Sequence, residues 1–353
     1  MADFSFRLLD WYAVSGRHDL PWQQHVTPYR VWVSEIMLQQ TQVSTVIPYY
    51  ERFMQRFPEI SGLAEADLDA VLHIWSGLGY YSRARNLHRT AGIVMREFAG
   101  HFPDTIAQLL ALPGIGRSTA GAILALSMNQ AQPILDGNVK RVLCRYYAIQ
   151  AWPGEPATTQ ELWRLAEQLV ARDQPAAYTQ AMMDLGAMLC TRTNPDCYAC
   201  PLQSGCQARQ LGLQHVLPVR KPRPSLPVKQ AAFLIIAKAT GEILLQRRPP
   251  AGVWGGLWGF PECSVETDIS AWLHKEYGLL AASIRFAPSL RHTFTHFHLD
   301  ITPVRVQLQA PQDRVRDTED LYWYKLTGDN RQLGMATPVR ELISRYNQAN
   351  EEI

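Results

Sequence analysis

The sequence has no apolar run approaching the ~20 residues that a membrane-spanning helix needs. Its longest apolar stretch, around Ala231–Ala237, is far shorter. It opens Met1-Ala2-Asp3-Phe4, without a basic flank ahead of an apolar core, so no secretory signal is expected and a cytoplasmic location is. Cysteine is scarce, at six in 353 residues, which argues against a disulfide framework. The net charge of +2 excludes a protein that coats a polyanion by bulk charge. What remains is an ordinary composition, 47% apolar, on a chain long enough for two domains.

The charge is unevenly spread. Between Gln207 and Pro250 stand eight basic residues and one acid, Glu242. Such a stretch can meet phosphates, although on charge alone a solvated linker is the simpler reading. The first two hundred residues carry helical periodicity, with one helix expected over Val31–Ile47 and ended by Pro48. Further helices are expected over Leu68–Trp75, Arg83–Phe98, Thr105–Leu112, Ser118–Leu126, Val139–Ala148, Gln160–Val170 and Gln180–Leu189. The segment Pro218–Pro227 holds four prolines and reads as an extended linker. Beyond it, Ala231–Ala237 and Glu242–Gln246 read as strands joined at Thr240-Gly241. Leu299–Gln309 is a third strand, and Ile269–Tyr277 a helix. The expected division is a helical domain over 1–216, a proline-rich linker over 217–229 and an α+β domain over 230–353.

Four cysteines are clustered at Cys190, Cys197, Cys200 and Cys206, with spacing C-x6-C-x2-C-x5-C. Such a set holds either zinc or an iron–sulfur cluster. Zinc ribbons usually show two C-x2-C pairs, whereas here there is one, so the spacing leans toward a cubane. Cys144 and Cys263 stand apart and read as plain thiols.

Leu112-Pro113-Gly114-Ile115-Gly116-Arg117-Ser118-Thr119-Ala120 joins two helical stretches. Gly114 and Gly116 are expected to supply special backbone angles and room for close approach. The amides that open the second helix then suit an anion of any sequence. Asp136 precedes another helix, where it could cap free amides, keep a low pKa and stay ionised. Glu35 sits among apolar neighbours, in company that raises a carboxyl pKa toward neutrality and suits a general acid.

The cysteine spacing resembles the iron–sulfur loop of the endonuclease III and MutY glycosylases, and the Leu-Pro-Gly-x-Gly turn resembles their helix–hairpin–helix. Ser34-Glu35-Ile36-Met37-Leu38-Gln39-Gln40-Thr41-Gln42-Val43 is similar to a motif of the MutY family. Gly255-Gly256-Leu257-Trp258-Gly259-Phe260-Pro261-Glu262 resembles the entry to a Nudix domain. Its expected catalytic helix, Trp272–Leu279, has just one glutamate where the Nudix reaction needs several, so a nucleotide-hydrolase reading is disfavoured.

The resemblance spans essentially the whole chain. It implies a multidomain fold: an all-α helix–hairpin–helix glycosylase domain with an iron–sulfur loop, plus an α+β Nudix-like domain. It implies a [4Fe-4S] cluster on the four cysteines and base-excision removal of adenine from double-stranded DNA, opposite 8-oxoguanine or guanine. The enzyme would be a monomer without membrane association, acting at the nucleoid. Glu35 and Asp136 would be catalytic, with Asn138 beside them. Trp22 would line the adenine pocket, and Gln39, Gln40 and Tyr80 would enter the duplex or touch the opposite base. Gly114, Gly116 and Ser118 would meet DNA at the hairpin. Related lyases carry a lysine where this chain has Ser118, so a monofunctional enzyme is expected, with Lys140 near the site. Phe294, Thr295 and His296 would read 8-oxoguanine; the family commonly has serine in place of Thr295. The rival within the superfamily is a thymine or uracil mismatch glycosylase.

Overall fold

The computed structural model describes residues 2–221, 225–309, 315, 317–326 and 331–351. The chain forms two compact units: Met1–Glu65 with Asn86–Arg223, and Ala66–Arg85 with Pro224–Ile353. No helix among the described residues is long and apolar enough to cross a membrane.

The α-helices ahead of the proline-rich segment are α1 (Ala2–Ser15), α2 (Pro28–Leu38), α3 (Val43–Arg56), α4 (Ile60–Glu65), α5 (Leu68–Trp75), α6 (Ser82–Glu97), α7 (Ile106–Leu110), α8 (Arg117–Met128), α9 (Gly137–Tyr146), α10 (Pro156–Leu169), α11 (Pro175–Asp184) and α12 (Gln207–Gln210). One turn of π-helix, Leu185–Leu189, extends α11. The single helix expected over Val31–Ile47 is two. Thr27 caps α2 by accepting from the Arg30 amide at 3.2 Å. The chain then leaves the helix at Gln39, and Gln40 takes a left-handed φ of 60°. Pro48 does not end a helix; it lies inside α3. Apolar residues at helical spacing stand on both sides of the break, up to Leu38 and again from Val43, so the sequence conceals it. The polar run Gln39–Gln42 supplies no buried anchor to hold the helix together.

Helix α1 supplies Phe4 and Leu8 to a core shared with Leu143, Leu162, Ala181 and Leu185 of α9, α10, α11 and the π turn. Helix α8 is buried along most of its length, and Gly121 lets it approach the segment that leads to Asp136: a Cβ there would lie 2.4 Å from the Pro133 carbonyl oxygen.

The second unit holds β1 (Val228–Ala237), β2 (Ile243–Arg247), β3 (Trp258–Gly259), β4 (Glu262–Cys263), α13 (Ile269–Tyr277), β5 (Ala281–Phe286), β6 (Leu290–Thr293), β7 (His298–Leu308), β8 (Leu321–Tyr324) and α14 (Thr337–Glu351). They form one mixed sheet ordered β3-β2-β1-β7-β5, with β4 on β1, β6 on β7 and β8 on β2. The central pair β1 and β7 runs parallel from Val228↔His298 to Ala237↔Gln307. Helix α5, expected in the helical domain, groups with this unit. Its buried Asp69 accepts from the Arg247 guanidinium and from Trp258 Nε1 at 3.2 Å. A buried carboxylate paired in this way is costly to leave uncompensated.

Replacing Gly121 with alanine forces the Pro133 backbone to move. The expected loss is about 1–3 kcal/mol of stability. Urea unfolding measures it, and an unchanged midpoint would mean that the backbone yields freely.

Candidate active site

Glu35 leaves α2 into a cavity of about 740 Å³ that also receives Asp136, Asn138, Trp22, Gln39 and Gln180. Burial pushes the Glu35 carboxyl up to about 8, and the charge of Asp136 pushes in the same direction. A carboxyl in that range holds its proton at neutral pH and can deliver it.

Asp136 is the N-cap of α9, and its Oδ1 accepts from the Val139 amide at 2.7 Å. The cap does not keep its pKa low, as the sequence suggests. Burial raises it, against the Val139 amide, the Arg141 charge and hydrogen bonds from the backbone and side chain of Asn138. The contacts that favour an anion are all at Asp136; Glu35 has burial and a neighbouring negative charge. The pair therefore places its charge on Asp136 and its proton on Glu35.

The support for Asp136 reaches further than the sequence reveals. Ser118 Oγ accepts from the Leu135 amide at 3.1 Å, which fixes the residue immediately before the carboxylate. Asn138 Oδ1 accepts from Arg141 at 2.7 Å. Arg141 also donates to the carbonyls of Gly186 at 2.6 Å and Cys190 at 2.7 Å. One turn along α9, the buried Arg145 donates to Thr191 O at 2.7 Å and Leu217 O at 2.9 Å, and lies 3.3 Å from Cys190 Sγ. The only trace of this in the sequence is two arginines four positions apart.

Trp22 lies on a short 3-10 turn, Pro21–Gln23, 6% exposed. It both packs edge-on against Tyr50, at 5.5 Å, and lines the cavity. Its loop is tied down by Asp184 at the end of α11, fully buried, which accepts from the Arg17 amide, the Arg17 guanidinium and Gln180 Nε2. Neither Asp184 nor Gln180 carries a motif, so sequence reasoning passed over both. Gln39 lies 3.3 Å from Thr119 Oγ1 at the cavity edge, with the exposed Gln40 beside it.

At the hairpin, Gly114 has φ 82°, and a Cβ there would lie 2.9 Å from Asn86 Cβ, so glycine is required twice over. Gly116 is different. Its φ of −90° suits any residue, and the space around it is open. Its value is room: it is the N-cap of α8, with no side-chain cap over the first amides.

Cys190, Cys197, Cys200 and Cys206 all line one small cavity, with Arg145 and Arg209 beside them. All four are free thiols. Burial, with the charge of the other three, pushes Cys200 up to about 12. Among the described residues no group of three or more His, Cys, Asp or Glu is arranged to hold a metal ion. Cys144 is buried, as expected of a core thiol. Lys140 does not open into the catalytic cavity; it lines a neighbouring groove.

Tyr80 and the residues of the last loop belong to the second unit. Tyr80 is 42% exposed on a left-handed backbone, with Arg83 over its ring. Phe294, Thr295 and His296 form the tip of the β6–β7 hairpin, closed by Phe294 N–H to Phe297 O at 2.9 Å. Phe294 stacks on Phe297 at 4.5 Å and meets Trp254 and His292, which leaves Thr295 and His296 exposed. The α13 helix carries Glu276 alone among glutamates, as the sequence implies.

Residues 33–168 match the HhH-GPD superfamily of base excision DNA repair proteins, and residues 231–345 match the NUDIX domain. The adenine DNA glycosylase of Buchnera aphidicola subsp. Acyrthosiphon pisum (strain APS) is 38% identical over 98% of each chain. The chain belongs to the adenine DNA glycosylase family. The adenine DNA glycosylase of Homo sapiens is also 38% identical, over 84% of this chain and 65% of that one. A solved thermostable thymine-DNA glycosylase superposes with a TM-score of 0.54 at 25% identity, over 59% of this chain and 95% of that one. As a member of the adenine DNA glycosylase family, the chain is a DNA glycosylase of base excision repair, with DNA as its partner.

The raised Glu35 pKa makes a stability prediction. The fold holds this proton more tightly than the unfolded chain does, so stability falls as pH rises from about 4.5 to about 8 and is level above. Glu35→Gln should remove that decline and give a higher thermal midpoint than wild type at pH 9. Parallel midpoint curves from pH 5 to 9 would refute the raised value.

Proposed function

We propose that the chain excises adenine paired with 8-oxoguanine, and more slowly adenine paired with guanine, by hydrolysis that leaves the DNA backbone intact. The observation that carries this reading is two unequal carboxyls facing one cavity: burial raises Glu35 to about 8, while Asp136 alone holds the contacts that favour an anion.

Adenine must first leave the stack and enter the cavity, where Trp22 supplies an apolar wall. Adenine leaves poorly as an anion, so Glu35 donates its proton to the ring, at N7, as the bond between N9 and C1′ breaks. The bonding electrons leave with the base, and the sugar becomes oxocarbenium-like. Asp136, held by Val139 and Asn138, stabilises that cation. Water then adds to C1′ and passes its proton to the Glu35 carboxylate, which restores the acid. Glycoside hydrolases divide work between two carboxyl groups in the same way. No lysine stands at position 118, and the hydroxyl there is engaged by the Leu135 amide, which supports a route without a Schiff base. Gln39, Gln40 and Tyr80 would fill the duplex beside the flipped base, and the exposed Thr295 and His296 tip would read the opposite 8-oxoguanine.

The same proposal places a [4Fe-4S] cluster on Cys190, Cys197, Cys200 and Cys206. Support comes from the four free cysteines that line one small cavity, and from Arg145 against Cys190. The cluster would pin the loop that bears Arg192. Iron and acid-labile sulfide should be found at about four each per chain. Zinc without sulfide would overturn this assignment.

Single-turnover release is the direct test, on duplexes with adenine opposite 8-oxoguanine, guanine and thymine, and with thymine opposite guanine. Release should be fastest opposite 8-oxoguanine, level at neutral pH and tenfold slower per unit of pH above about 8. Glu35→Gln and Asp136→Asn should each lower it by about 10²–10⁴. The likeness to a thymine-DNA glycosylase makes the T:G duplex the informative rival. Release from T:G alone would sink the adenine reading.

A further inference from the structure

The basic stretch after Gln207 has no task in the reaction above, and the structure gives part of it a place. His215–Lys221, the described start of the proline-rich segment, forms one wall of a groove of about 710 Å³. Gly137, Lys140 and Arg141 of α9, together with Arg192, Trp152 and Pro153, complete the lining. The lining contains five lysines and arginines and no carboxylate.

The wall is built, not draped. The buried Arg145 donates through Nε to Leu217 O at 2.9 Å, and the Leu217 amide donates to Leu213 O at 3.0 Å. Trp152 is exposed, with Lys221 Nζ 5.1 Å over its ring, a contact that holds the ammonium at the groove. Gly154 lies under Trp152; a Cβ there would be 2.3 Å from the indole, so the ring keeps this place only over a glycine. Arg141 is spent on Cys190, Asn138 and Gly186, but among the described residues Lys140, Arg192, Arg220 and Lys221 form no ion pair.

The groove also continues from the catalytic cavity. Gly137, the residue after Asp136, lines both, and the space where its Cβ would stand is open. We infer that this groove is a phosphate track: the DNA strand that surrenders its base passes over Gly137 and lays its next phosphates against Arg220, Lys221 and Arg192, independent of sequence. The inference rests on the reading of the chain as a DNA glycosylase whose cavity receives the flipped base.

The test is equilibrium binding of the full chain to an undamaged duplex of about 30 base pairs across a salt series, where each phosphate contact contributes about 0.9 to the slope of log K against log salt. Arg220→Ala with Lys221→Ala should lower the slope by about 2 and weaken binding by about tenfold or more at 0.1 M salt. The charge-conserving exchange Arg220→Lys with Lys221→Arg should keep the wild-type slope. Lys275→Ala, an exposed cation on α13, should leave the slope unchanged. The inference fails if the double alanine variant keeps the wild-type slope. It fails equally if the charge-conserving exchange loses as much as the alanines, because the segment would then serve the fold and not phosphate. Wild-type binding without any salt dependence would instead remove the DNA reading on which the groove rests.

Discussion

A carboxylate at the start of a helix is ordinarily an exposed, low-energy device. Here Asp136 caps α9 half-buried on a cavity that the carboxyl of Glu35 also lines. Two such groups cannot both be charged at neutral pH without large cost. The surrounding structure resolves the conflict by giving the anion-stabilising contacts to one partner. The Val139 amide, Asn138 and Arg141 attend Asp136, while Glu35 is left with burial and a neighbouring negative charge. An acid and an anion arise from two residues of the same chemistry because their environments differ.

Much of the helical unit serves that asymmetry. Gly121 lets α8 approach the segment before Asp136, and Ser118, on the same helix, holds Leu135 in place. Arg141 and Arg145 bind α9 to the carbonyls of the cysteine loop, so the catalytic helix and the loop share one frame. On the opposite wall, Asp184 anchors Arg17 and Gln180 and thereby the loop that carries Trp22. The hairpin contributes differently. Gly114 is demanded by backbone angle, and Gly116 by the space it leaves at the start of α8.

Some of this was legible in the residues themselves. Helices with strong period and clear ends were placed closely, among them Leu68–Trp75 and Ile269–Tyr277. Glu35, Asp136, Asn138 and Trp22, far apart in the sequence, line one cavity. The break between α2 and α3 was hidden because apolar residues at helical spacing resume directly after the polar run Gln39–Gln42. Helix α1 went unread, and α5 groups with the second unit through a buried Asp69 whose partner lies 178 positions away.

The sequence by itself determined which chemical groups are present: the two carboxyls, the four clustered cysteines, the glycine turn and the lone glutamate of α13. These are properties of residue type and spacing, and they survive without coordinates. Tertiary structure decided how those groups behave. Desolvation depends on what surrounds a side chain in space, so only the fold could show that burial outweighs the cap at Asp136 and that Glu35 holds its proton. Only the fold could show that arginines on α9 reach the cysteine loop, and that a proline-rich stretch forms the wall of a basic groove.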